Sequence, residues 1–159
     1  MLAAGGPQAA SLAAECCDGL ITTSADREVV EAFRNGDGRD SGRSNGGPCY
    51  AEVSLSWAKT REEAIDTAFE YNRWGGLGWD VMPELPDPEA FASVAERTTR
   101  EQIAENAPCG PDPEPLLEEI QEHLDAGFDH IVLRQIGPEQ SGFLDFFERE
   151  LRPRLEKMG

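Results

Sequence analysis

The sequence is poor in lysine, in histidine and in long apolar runs, and each shortage removes a class of function. Lys59 and Lys157 are its two lysines, and 14 basic residues in all face 31 acidic ones for a formal net charge of −17. Nucleic acids and anionic bilayers are held by clustered Lys and Arg, so neither is expected as a partner. No stretch approaches the roughly 20 apolar residues that a membrane-spanning helix needs. Met1 to Pro7 offers neither a basic n-region nor an apolar h-region, so the expectation is a cytoplasmic protein without a secretory signal. Metal-ligand patterns are missing too. Zinc sites pair ligands as C-x2–4-C, whereas Cys16 and Cys17 are adjacent, Cys49 and Cys109 stand apart, and His123 and His130 lie far from all four. Reduced thiols and no metal are expected.

At 159 residues, 39% of them hydrophobic, the chain can form one domain with a packed core and is not composed like a disordered one. Its carboxylates are spread along helical stretches, which argues against an acidic disordered tail. Screening relieves the self-repulsion of such a charge. An acidic proteome in the salty cytoplasm of a halophile is therefore the expected setting, with an ordinary acidic protein as the alternative.

Ala9, Leu12, Ala13 and Cys16 recur at helical spacing over Gln8 to Cys17, with Pro7 suited to an early helix position. Asp18 to Ser24 reads as a short buried strand, and Ser24 as the N-cap of a helix over Arg27 to Phe33. Asn35 to Pro48 is a loop rich in Gly, Asp, Ser and Asn. Strand formers fill Cys49 to Trp57, and Thr60-Arg61-Glu62-Glu63 has the capping-box pattern for a helix ending at Tyr71. Trp74 to Pro88 is a second long loop, followed by helices around Pro88–Arg97 and Thr99–Glu105. Asp112 to Ala126 sets Leu116, Leu117, Ile120 and Leu124 on one stripe, with His123 on the solvated side and Gly127 as terminator. His130 to Leu133 reads as a buried strand, with His130 in a structural role at its start. Gly142 to Leu155 forms the last helix, its apolar side made by Phe143, Leu144, Phe146, Phe147 and Leu151. Strands alternating with helices imply βαβ units and a parallel α/β sheet. About three strands are legible, and Ala3-Ala4-Gly5-Gly6 reads as the end of another.

The strand ends and the turns behind them carry a family resemblance. Ala3-Ala4-Gly5-Gly6-Pro7 and Asp18 to Ser24 resemble the middle of luciferase-like proteins. Cys109-Gly110-Pro111-Asp112-Pro113-Glu114, Ala126-Gly127-Phe128-Asp129-His130 and Gln135-Ile136-Gly137-Pro138-Glu139-Gln140 resemble the branch related to F420-dependent glucose-6-phosphate dehydrogenase. The motifs occur in order from Ala3 to Leu155. The resemblance implies the C-terminal half of a (β/α)8 TIM barrel over residues 1–159, from the end of strand five to the final helix. Strand six would be Gly19–Thr22, strand seven Glu52–Trp57 and strand eight His130–Leu133. It also implies an oxidoreductase using coenzyme F420, with flavin mononucleotide (FMN) in a monooxygenase as the alternative. The catalytic groups would come from strands that are not in this sequence, so no catalytic residue is assigned. A truncated or split non-catalytic module is the competing reading.

In such barrels the site lies at the carboxyl ends of the strands. On the resemblance Ala3, Ala4, Gly5 and Gly6 contact the deazaflavin and its phosphate-bearing tail; from spacing alone they are a plain strand-to-helix turn. Thr23 corresponds to a substrate-facing threonine, or else its hydroxyl ends a strand or helps to cap a helix. Asp26, Met82 and Asn106 fall where the sugar-phosphate enzymes carry cations, and none of the three can neutralise a phosphate dianion. The substrate is therefore expected to be a small molecule other than a sugar phosphate. Trp74 and Trp79 either roof the site or pack the loop down, and Arg134 and Gln135 follow strand eight at the site end, with contact to the cofactor tail or substrate as the lesser reading for either. The open sheet edges imply a homodimer or a partner N-terminal half-barrel.

Overall fold

The computed structural model describes residues 1–36, 47–77 and 81–158. Most of the expected Asn35–Pro48 loop, and Trp79 in the second loop, lie outside the described residues. Two compact units are present: Met1–Val53 with Leu117–Arg134, and Ser54–Leu116 with Gln135–Gly159.

The first unit is built on parallel strands. Strands β1 (Leu2–Ala3), β2 (Leu20–Thr22), β3 (Cys49–Leu55) and β4 (His130–Gln135) lie in the order β1-β2-β3-β4, the last residues of β3 and β4 passing into the second unit. The register sets Leu2 beside Leu20, and Leu20 beside Cys49. At the other side, Asp129 N–H donates to Cys49 O at 3.0 Å. Among the described residues four strands are thus present, the three legible ones and two-residue β1, which ends at Ala3 where the sequence reads the end of another strand.

Helices α1 (Pro7–Cys16), α2 (Arg27–Asn35) and α6 (Glu114–Ala126) follow. Ala10, Ala13, Leu20, Val29, Val30, Phe33, Cys49, Ala51, Ala126 and Phe128 form one core between the helices and one sheet face. Two alanines on α1 let helix and sheet approach closely, and each fully buried Val or Leu contributes about 1.5–3 kcal/mol. Gly127, at φ +101°, ends α6 as expected, in a conformation that disfavours any side chain.

Three expectations in this unit are corrected. Asp26, not Ser24, caps α2, its Oδ1 accepting from Glu28 N–H at 2.8 Å. An acceptor directly before the first helical residue reaches the orphan amides, whereas Ser24 is two residues too early. Strand β4 is not buried, and Val132 is 42% exposed. Ile131 meets the core, but the alternate residues His130 and Val132 point to the face that no described helix of this unit covers. His123 is buried, not solvated. Counting from Leu116, residues 120 and 123 stay on the inward stripe, while Leu124 has rotated to its margin.

In the second unit the chain leaves β3 at Ser56 and returns to the same point. Ser56 N–H donates to Pro108 O and Gly110 N–H to Ser56 O, both at 2.9 Å. The excursion between them holds α3 (Arg61–Tyr71), α4 (Pro88–Ala95) and α5 (Arg100–Asn106). Ala68 and Ile103 close over Ile136, which lies just past β4. The last helix is not continuous: α7 (Gln140–Phe146) passes through a π-turn at Phe147–Leu151 into α8 (Arg152–Leu155). Pro153 lacks an N–H and crowds the carbonyl four residues back, so the hydrogen-bond ladder widens ahead of it. That turn buries Leu151 completely and leaves Leu144 exposed, against expectation.

Candidate functional site

The carboxyl ends of β1 and β2 form the site of the first unit. Ala4 N–H donates to Ile21 O at 3.0 Å, and the chain then turns through Gly5 and Gly6 into Pro7, the first residue of α1. Gly6 is extended (φ −170°, ψ 170°), and no atom lies within 4 Å of where a Cβ would stand on Gly5 or Gly6. The backbone there is open to a ligand. Each other helix that starts afresh receives a side-chain acceptor at its first turn: α2 from Asp26, α3 from Thr60, α4 from Asp87, α5 from Thr99, α6 from Asp112 and α7 from Glu139. Helix α1 receives none. Its first-turn amides, with the positive end of the helix dipole, face the opening beside Gly5 and Gly6.

Thr22 and Ser24 settle the end of β2 between themselves. Thr22 is buried, and its Oγ1 accepts from Ser24 N–H at 3.4 Å and sits 3.3 Å from Ser24 Oγ. The strand-ending role that sequence allowed to Thr23 is therefore filled by its neighbour, and Thr23 is exposed. Ala3 pairs with Ile21, so the register carried two residues further sets Gly5 level with Thr23. The structure thus brings together the sequence-derived residues Ala3, Ala4, Gly5, Gly6 and Thr23.

The described arginines of this unit are committed elsewhere. Arg27 donates to Asp125 O, Arg34 to Gly127 O and to Asp129 Oδ1, and Arg134 Nε pairs with Glu52 Oε1 at 2.8 Å. Arg134 lies on the sheet face that no described helix of this unit covers, where the Tyr50 and His130 rings also stack with centroids 4.5 Å apart. Asp26 is a helix cap, so the position offers no cation.

In the second unit, Gln135 clamps the backbone of Trp57, taking its N–H at 2.9 Å on Oε1 and giving Nε2–H to its carbonyl at 3.2 Å. Its amide is spent on the protein. Trp57, which sequence reasoning missed, packs near Phe146, and its indole N–H is buried without an acceptor among the described residues. Only its place directly after a barrel strand could have drawn attention to it. Asn106 donates to Gln102 O at 2.8 Å, a helical back-bond. Trp74 is exposed and lines an apolar groove with Leu85, Pro86, Phe91 and Ala95. Cys109 is a half-buried thiol whose pKa burial pushes up to about 11, which disfavours its thiolate. No group of three or more metal-ligating side chains occurs among the described residues, and no described helix is long and apolar enough to cross a membrane.

Residues 1–130 match the model of a family described as luciferase-like monooxygenase. A protein of Mycolicibacterium gilvum named F420-dependent glucose-6-phosphate dehydrogenase is 29% identical over 167 aligned positions, covering 99% of this chain and 48% of that protein. Among solved structures, an F420-dependent secondary alcohol dehydrogenase in complex with an F420-acetone adduct superposes with a TM-score of 0.69 at 22% identity, over 94% of this chain and 47% of that one. The coenzyme F420 dependent tetrahydromethanopterin reductase of Methanopyrus kandleri gives 0.63 at 19% identity, over 96% and 49%. The chain therefore spans about half the length of the relatives it matches. Its fold is α/β with parallel strands, consistent with half of a luciferase-like barrel.

Proposed function

The chain belongs to the luciferase-like monooxygenase family, and from that membership we propose that it is the cofactor-side half of an F420-dependent oxidoreductase. The observation that carries the proposal is the uncapped start of α1 behind the open Gly5 and Gly6, at the site end of the sheet. Deazaflavin supplies a ring carbon that takes or gives up a hydride. This chain's share is binding and orientation. Ala3, Ala4, Gly5 and Gly6 line the cofactor, the first-turn amides of α1 hold its phosphate-bearing tail, and Thr23 faces the substrate.

The substrate is a small organic molecule other than a sugar phosphate. The reason is electrostatic: Asp26 and Asn106 serve their own helices, and the described arginines of the first unit are already bonded to the protein. The catalytic acid or base comes from a complementary N-terminal half-barrel supplied by another segment; a second copy of this chain would cover the open sheet edges but brings no such group. Strands β1 and β4 are the sheet edges that such a partner pairs with. The expected setting is a salty cytoplasm.

The test is an equilibrium titration of F420 and of FMN into the chain, alone and together with an N-terminal half-barrel from a relative. Tighter binding of F420 than of FMN is expected in both arms. Preference for FMN points to the monooxygenase reading. Binding of neither in the paired arm removes the cofactor role and leaves a non-catalytic module.

A further inference from the structure

The edge opposite the proposed cofactor site carries two adjacent cysteines that the oxidoreductase reading does not use. Cys16 is the last residue of α1 and Cys17 its C-cap, followed within three residues by the amino end of β2. Carboxyl strand ends hold Gly5 and Thr23, so the cysteines lie at the far edge of the same unit.

The helix terminus turns both side chains the same way. Cys17 is extended (φ −128°, ψ 157°), and its N–H is anchored to Ala13 O at 2.8 Å. The Cys16 thiol donates to Leu12 O at 3.1 Å. The two Sγ atoms stand 3.6 Å apart, with Cys16 exposed and Cys17 half-buried. A disulfide is the wrong product here. Neighbouring Cα atoms across a trans peptide are about 3.8 Å apart, below the usual 4.4–6.8 Å span of a disulfide, so oxidation stores strain. A single soft atom bridging both sulfurs avoids that strain, and soft ions select thiolates. Two ligands are too few for a four-coordinate zinc site.

We propose that Cys16 and Cys17 form a vicinal dithiol site that takes a soft, thiophilic centre of low coordination number, of which trivalent arsenic is the representative. With an organoarsenic oxide, two As–S bonds form while the As–O double bond and two S–H bonds break. The oxygen leaves as water carrying both protons, and no oxidation state changes. The remaining cysteines do not compete: Cys49 is buried, and burial pushes its thiol pKa up as it does that of Cys109.

The experiment treats the folded chain with phenylarsine oxide, washes with a monothiol, and reads intact mass and iodoacetamide labelling. One arsenical per chain is expected, shielding Cys16 and Cys17 from alkylation and released by a dithiol. Cys16→Ser and Cys17→Ser each lose the retained adduct, while Cys49→Ser and Cys109→Ser keep it; circular dichroism checks that every variant is folded. The folded chain is also expected to bind about tenfold tighter than a synthetic peptide of residues 10–19, because the helix end holds the sulfurs together beforehand. No retained adduct on the folded wild type, retention in either single serine variant at positions 16 or 17, or equal binding by the peptide overturns the proposal.

Discussion

At the scale of single residues, Gly6 separates binding from stability. Its extended backbone suits any residue, and an aspartate there becomes the cap that α1 lacks. Gly6→Asp is expected to raise stability by a few tenths of a kcal/mol and to weaken F420 binding by roughly tenfold, since its carboxylate occupies the anion position. Urea unfolding read beside a cofactor titration checks the pair of effects, and parallel losses in both would contradict the account. Glu119 makes a second prediction. Burial first, and Glu122 second, push its carboxyl up to about 7. The folded state then holds a proton that the unfolded state releases near pH 4.5, so stability declines as pH rises between those values and the full penalty stands above pH 7. Glu119→Gln should stabilise the chain by roughly 1–2 kcal/mol at pH 8 after allowance for solvent screening, and change little at pH 4. Denaturation at the two pH values reads this directly. Residue type alone misplaced His123: its Nδ1 gives a hydrogen bond to Glu119 O, which lets a polar ring sit beside Phe128 inside the core. Nothing in a polar letter on an acidic helix announces that.

At the scale of elements, Asp129 ties three of them together. Its Oδ2 accepts from Cys49 N–H at 2.8 Å at the start of β3, its Oδ1 pairs with Arg34 of α2 at 3.0 Å, and it directly precedes β4. Asp129→Ala should cost about 1–3 kcal/mol by leaving the Cys49 amide without its acceptor. A melt of the variant checks it, and an unchanged midpoint would show the junction to be held otherwise. Helices with strong end signals were legible: Thr60 ahead of α3 accepts from Glu63 N–H as its motif predicts, and Gly127 closes α6. Interruptions were not. The π-turn before Pro153 arises from a clash with an earlier carbonyl, whereas the apolar letters of Gly142 to Leu155 read as one helix. Strand β4 misled for a related reason. Apolar residues on both faces read as burial, but which face is covered depends on elements distant in sequence.

At the scale of the whole chain, the charge of −17 makes stability a function of salt. Raising KCl from 0.1 to 1 M shortens the screening length from about 10 to about 3 Å, and the melting temperature is expected to rise. A fall would mean that the surface ion pairs outweigh the general repulsion. On the proposed reading, the sheet face that no described helix of this unit covers, with Val132 exposed beside the Glu52–Arg134 pair, is the surface for a complementary half-barrel. The turn Ala3 to Gly6 was a candidate only through the family resemblance, since its spacing alone reads as a plain strand-to-helix turn; the open helix start behind it was not legible at all. That every other freshly started helix is capped and α1 is not emerges only from the assembled hydrogen bonds. The most direct measurement is therefore of those amides. On addition of F420 to the 15N-labelled chain paired with its complementary half-barrel, the largest amide shifts are expected at Gly5, Gly6, Gln8 and Ala9. Shifts confined to other strand ends, with those four unmoved, would contradict the central claim.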